Sequence, residues 1–125
     1  MSKLPKISDS EWEVMEVIWS KKLCTSSEIV DALKDNSEWS PKTIHTLITR
    51  LVKKGAVDVD KTSTTYKYSP LISEKDLKSQ ETKTFVQKIY GGSLKLLLSN
   101  FIREEELSVD EIHELRKLLD EKTNK

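Results

Sequence analysis

One cysteine, three glycines and three prolines in 125 residues leave this chain few of the usual covalent and backbone constraints. The lone thiol, Cys24, excludes an intramolecular disulfide and any zinc or copper site built from several cysteines. It suits a reducing compartment, where such a residue is most often a small core side chain. So little glycine and proline leaves little room for long loops. No apolar run approaches the roughly 20 residues needed to span a bilayer. The stretch from Met1 to Lys6 is polar, and that from Trp12 to Trp19 is broken by Glu13 and Glu16, so no signal peptide is expected. A soluble, cytoplasmic chain with no membrane insertion is the expectation. Charge of one sign is also missing, since 21 basic residues balance 21 acidic ones. A zero sum argues mildly against a nucleic-acid partner, although distribution matters more than total. Catalytic signatures are absent as well. His45 and His113 lie far apart, no serine sits in a nucleophile elbow, and Gly91-Gly92 lacks phosphate-loop spacing. Glu104 to Glu106 reads as a solvated face rather than a metal site. No enzyme, no metal and no cofactor is expected.

What the chain does have is helix punctuation. It is 36% hydrophobic and 34% charged, enough for one packed domain with helices that keep long solvated faces. Ser8 and Glu11 form a capping-box pattern that predicts a first helix from Asp9 to about Lys21, with Trp12, Met15, Val17, Ile18 and Trp19 inward. A second helix begins after Thr25 or Ser26, boxed by Glu28, and carries Ile29, Val30, Ala32 and Leu33 before the polar run 34–38. Ser40 and Pro41 start a third helix and Gly55 ends it. Ala56 to Asp60 then alternates, Lys61 to Thr64 reads as a turn, and Thr65 to Tyr68 alternates again and stops at Pro70. Further on, Ser73 with Asp76 caps a helix from about Glu74 to Tyr90, and Gly91-Gly92 breaks it. An apolar helix from Ser93 to about Glu105 follows, and Ser108 with Glu111 boxes the last. The expected fold is mostly α with a small β-hairpin: an N-terminal winged helix-turn-helix over residues 1–71, then a helical dimerisation region over 72–125.

The third helix concentrates the charge. Residues 39–57 hold four basic residues and no acidic one, whereas residues 101–121 set three basic residues against eight carboxylates. Ile44, Leu47, Ile48, Leu51 and Val52 make one apolar face of this helix; Lys42, Thr43, His45, Thr46, Thr49 and Lys53 occupy the other. Two readings fit: an ordinary amphipathic helix with a solvated basic face, or a helix that reads double-stranded DNA in the major groove. Three helices with the third basic, followed by a hairpin, is the order of a winged helix-turn-helix and favours the second. Lys42, Thr43, His45 and Thr46 are then the base-edge candidates. Arg50, Lys53, Lys54 and the hairpin lysines Lys61 and Lys67 are the phosphate candidates. Solvated surface remains the alternative for His45, Thr46 and Thr49. Phe85, Ile89, Tyr90, Leu94, Leu97, Leu98, Phe101, Ile112, Leu115 and Leu119 suit burial against a second copy, so that two helices related by a twofold axis would read a palindrome. Folding back as a monomer is the alternative for the same residues.

Whole stretches also resemble one family. The segment Ser8 to Trp19, the run Trp39-Ser-Pro-Lys-Thr-Ile, Thr46-Leu-Ile-Thr-Arg-Leu, Lys53-Lys54-Gly55, residues 88–92, Ser99-Asn-Phe and residues 107–116 are similar to the penicillinase and methicillin-resistance repressors, the BlaI/MecI group. That resemblance implies a dimeric winged-helix repressor on operators of β-lactamase or resistance genes. It implies release by cleavage within the dimerisation region, triggered by a membrane sensor with a zinc protease domain. The matching bond here is Asn100-Phe101. A ligand-responsive winged-helix repressor of another regulon, without proteolytic release, is the alternative. His45 stands where close relatives often carry a longer basic or amide side chain. The cysteine-rich tail of the copper-responsive cousins has no counterpart, which disfavours copper sensing.

Overall fold

The computed structural model describes residues 4–35 and 38–124, so Asn36 and Ser37 of the polar run lie outside the described residues. The elements run α1 (Asp9–Lys21), β1 (Cys24–Thr25), α2 (Ser26–Leu33), α3 (Pro41–Lys53), β2 (Val57–Asp60), β3 (Lys67–Pro70), α4 (Glu74–Tyr90), α5 (Leu94–Glu104) and α6 (Val109–Thr123). Local chemistry sets most of these ends. Ser8, Thr25 and Ser108 each accept from the third residue of their helix, and Glu11, Glu28 and Glu111 return the favour to the cap amide. At the end of α3 the Ala56 amide donates to Leu51 O at 3.0 Å and the Gly55 amide to Val52 O at 3.1 Å. Gly55 has φ +81°, and the pair of bonds is a Schellman motif that satisfies carbonyls left over by the helix.

The chain divides into two compact units, Met1–Gln80 and Glu81–Lys125. The first keeps one core: Val14, Met15 and Ile18 of α1, Ile29 and Leu33 of α2, Ile44, Leu47, Ile48 and Leu51 of α3, then Cys24, Val57, Ile72 and Leu77. Leu77 joins it from the second turn of α4, beyond residue 71, where the sequence pattern put the boundary. The apolar face of α1 also differs slightly from expectation. Val14 is fully buried, whereas Trp12 and Val17 are only partly so. Trp19 closes this core from one side, its indole N–H donating to Ile72 O at 2.9 Å.

The sheet corrects the expected two-stranded hairpin. It has three antiparallel strands in the order β1-β3-β2. Cys24 pairs with Tyr68 and Thr25 with Lys67, while Val57 pairs with Pro70 and Asp60 with Lys67. A two-residue strand carries no periodicity to read, so β1 could only be found from its partner. The second hairpin strand is Lys67–Pro70 rather than Thr65–Tyr68. Pro70 pairs only with Val57 of β2 and lies beyond the end of β1, so the donor that proline lacks has no strand to meet on that side. Three helices followed by a hairpin wing make the first unit a winged helix-turn-helix.

In the second unit α5 and α6 bury no residue of their own. Gly91 and Gly92, both at positive φ, separate α4 from α5. Among the described residues no helix is long and apolar enough to cross a membrane.

Candidate nucleic-acid interface

The core fixes the orientation of α3. Ile44, Leu47, Ile48 and Leu51 face inward, packed against α1 and α2, so helical periodicity forces Lys42, Thr43, His45, Thr46, Thr49, Arg50 and Lys53 outward. Six of these, all but Thr43, line one shallow recess along the helix. Among the described residues no carboxylate pairs with Lys42, Arg50 or Lys53. At the start of the helix Ser40 Oγ accepts the Thr43 amide at 3.2 Å and lies 3.1 Å from Thr43 Oγ1. The positive end of the helix dipole adds to the field of Lys42 there. The face is therefore cationic and unneutralised, which is what attracts a polyanion.

Two threonines are more constrained than their exposure suggests. Thr46 Oγ1 donates to Lys42 O at 3.1 Å, and Thr49 Oγ1 donates to His45 O at 3.0 Å. Such back-bonding engages the hydroxyl proton and leaves the oxygen lone pairs and the methyl group available. Thr46 can thus accept a hydrogen bond from a base amino group or touch a thymine methyl, but it donates only by breaking its bond to the helix.

Lys54 sits elsewhere. Its ammonium donates to Lys6 O at 2.8 Å and pairs with Glu11 Oε1. Glu11 is 2% exposed and is the buried charged residue among those described. Burial pushes the Glu11 carboxyl up, but the Lys54 ammonium and the Ser8 amide and hydroxyl outweigh it and hold the group below the ordinary carboxylate value. The charge of Lys54 is therefore neutralised at the body of the domain, which sets it apart from the other phosphate candidates. From sequence, Glu11 was legible only as the partner of Ser8.

The wing tip spans residues 61–66, all exposed and free of acids. Lys61 Nζ lies 5.6 Å from the centroid of the Tyr66 ring, within cation–π range. Tyr66 is an exposed aromatic that the sequence pattern had not singled out. Asp60 is occupied locally: the Thr62 hydroxyl and amide donate to it and hold its carboxyl below the usual range, with Lys67 adding to the effect. Lys67 also lowers Glu28, after the larger effect of the Thr25 amide. Among the described residues neither Lys61 nor Lys67 lies within ion-pair distance of a carboxylate, although Lys67 is near enough to Asp60 and Glu28 to lower both.

In the second unit Phe85, Ile89, Leu94, Leu98, Phe101, Ile112, Leu115 and Leu119 are all at least 40% exposed, and Leu97 and Tyr90 are half-buried. Ile102, Leu107, Ile112, Leu115 and Leu119 line an apolar groove between α5 and α6, edged by Glu105 and Arg116. Phe85 and Tyr90 meet edge to face at 6.1 Å. Asn100 and Phe101 lie inside α5, both exposed.

Comparison with known proteins agrees with this geometry. Residues 7–121 match the penicillinase repressor family. The methicillin resistance regulatory protein MecI of Staphylococcus aureus strain N315 is 45% identical over 121 residues, covering 97% of this chain and 98% of that one. The penicillinase repressor of Bacillus licheniformis is 40% identical over 125 residues, covering 100% of this chain and 98% of the relative. The solution structure of the monomeric form of Bacillus licheniformis BlaI, in complex with the blaP half-operator, matches with a TM-score of 0.54 and 46% identity. That match covers 61% of this chain and 93% of the other. Family match, identity along nearly the full length and a shared winged-helix domain together settle the relationship: this chain belongs to the penicillinase repressor family.

Proposed function

We propose that this chain is a cytoplasmic, homodimeric transcriptional repressor that binds palindromic operators of β-lactamase or other antibiotic-resistance genes. The observation that carries the reading is the exposed, acid-free face of α3. It holds three cations with no ion-pair partner among the described residues, and the first residues of the helix are exposed. The half-operator complex of the Bacillus licheniformis relative supports the same ligand class. Lys42, Thr43, His45 and Thr46, near the start of α3, are the base readers. Arg50, Lys53, Lys61 and Lys67 meet phosphates, which position the domain without reading sequence.

Pairing is the second part of the proposal. The leucines and aromatics of α4, α5 and α6 are left exposed side by side in sequence on three amphipathic helices, and a second copy is the partner whose own surface matches them. Release is the third part. A protease triggered by a membrane β-lactam sensor would cut Asn100-Phe101, removing α6 and the end of α5 from the pairing surface. Two linked heads gain from high effective concentration, and separated heads lose that gain without any change at α3.

Competition between a promoter fragment and a scrambled duplex tests the DNA reading. Lys42→Ala and Thr46→Ala should each weaken promoter binding by about 1–3 kcal/mol more than scrambled binding. Equal losses on both duplexes would remove these residues from base reading. Substituting Phe101 should block induction and leave the chain intact; normal induction with uncut protein would end the proteolytic reading.

A further inference from the structure

We propose that Glu11 and Lys54 form a positioning pair that sets the angle of α3 on the domain, so that Lys54 acts on operator recognition through Glu11 and not through a phosphate. The inference rests on the reading of α3 as the DNA-reading helix. Three segments meet at this one ammonium. Lys54 Nζ donates to Lys6 O at 2.8 Å and to Glu11 Oε1, and the same carboxylate oxygen accepts the Ser8 amide at 2.9 Å. The backbone at Lys54 is fixed too: its amide donates to Arg50 O at 2.9 Å, and Gly55 closes the Schellman motif immediately after it. The N-terminal segment, the first turn of α1 and the last turn of α3 are thereby joined at a buried charge.

The lever arm makes this matter. From Lys54 back to Lys42 the helix rises roughly 18 Å, so a tilt of about 5° at the Lys54 end moves Lys42 by about 1.6 Å. A hydrogen bond to a base edge tolerates only a few tenths of an ångström. Removing Lys54 alone leaves Glu11 buried and uncompensated, and the structure relieves this by admitting water or a proton and letting the end of α3 move. Gln at position 11 keeps the acceptor for the Ser8 amide and carries no charge, so it has no need of Lys54.

The test compares wild type, Lys54→Met, Glu11→Gln and the double variant. Each binds the blaP half-operator duplex and a random duplex over a range of salt concentrations, with circular dichroism melts to set a temperature at which the variants are folded. Lys54→Met should lose about tenfold or more in half-operator affinity while the salt slope on random duplex stays unchanged, and Glu11→Gln in the Lys54→Met background should bring affinity back to within about threefold of wild type. A phosphate contact behaves otherwise: Lys54→Met would lower the slope by about 0.9 on both duplexes, and Glu11→Gln would restore nothing. That result overturns the proposal alone, as does wild-type half-operator affinity in Lys54→Met. If Lys54→Met does not fold, the double variant decides: wild-type affinity and slope support the pair, and a slope lower by about 0.9 refutes it. Wild-type protein that binds neither duplex removes the DNA reading itself, and this proposal with it.

Discussion

Salt dependence of DNA binding would separate a contribution of α3 from one of the wing. Each phosphate neutralised releases condensed counterions and contributes about −0.9 to the slope of log affinity on log salt. The face of α3 offers Lys42, Arg50 and Lys53, none paired with a carboxylate among the described residues. On a random duplex, where Lys42 has no cognate base to read and would meet the backbone as well, those three predict a slope of about −2.7 per chain, or roughly −5.4 for a pair. Adding Lys61 and Lys67 raises the expectation to about −4.5 per chain and −9 per pair. Lys67 also lies in the field of Asp60 and Glu28, so the wing value is an upper bound. The assay is fluorescence anisotropy on a random duplex over a salt series, for wild type and for Lys61→Gln with Lys67→Gln. If the wing touches the backbone, the double variant is shallower by about 1.8 per chain; if it does not, the slopes coincide. A wild-type slope weaker than about −3 for the pair would refute the reasoning, because even the α3 cations would then be missing the phosphates.

Three further outcomes follow from the same structure. Gly55→Ala places a Cβ that meets nothing within 4 Å, so its cost comes from φ +81° alone. About 1–2 kcal/mol of stability should be lost, seen as a melting temperature lower by roughly 4–10 °C; an unchanged melt would mean that the end of α3 is not held in the left-handed region. The carboxyl of Glu11 is held below its unfolded value of 4.5, so its contribution to stability is complete above that value and lost as pH falls through the folded one. Melts of wild type and Glu11→Gln should therefore converge on acidification from pH 7 toward pH 3, and a gap that widens would reverse the sign of the argument. Leu98→Asp combined with Leu115→Asp puts carboxylates on the apolar surface of α5 and α6. Sedimentation should show pairing weakened by at least about a hundredfold, since an unpaired buried carboxylate costs several kcal/mol, and an intact dimer would place the pairing surface elsewhere.

Much of this was legible because helix ends are local events. Ser8 with Glu11, Thr25 with Glu28, and Ser108 with Glu111 each lie three residues apart, and each predicted cap formed. The basic face of α3 was legible for the same reason, since a 3.6-residue period assigns every side chain a side once the apolar stripe is known. The strands were less so. A short strand is defined by its partner, and Cys24 finds Tyr68 across 44 positions of chain. The second wing strand slid from Thr65–Tyr68 to Lys67–Pro70 because pairing with both neighbours, not alternation, sets its register.

The amino-acid order by itself therefore determined the helices, their boundaries and the side on which α3 carries its charge, since capping and periodicity act over a few residues. Only the tertiary structure decided which cations remain free. Lys53 and Lys54 are adjacent and chemically alike, yet Lys53 stays outward while Lys54 is held by Glu11, 43 positions earlier, and by the carbonyl of Lys6. A buried charge requires a counter-charge at contact distance, and which one reaches it is fixed by how α1 and α3 pack.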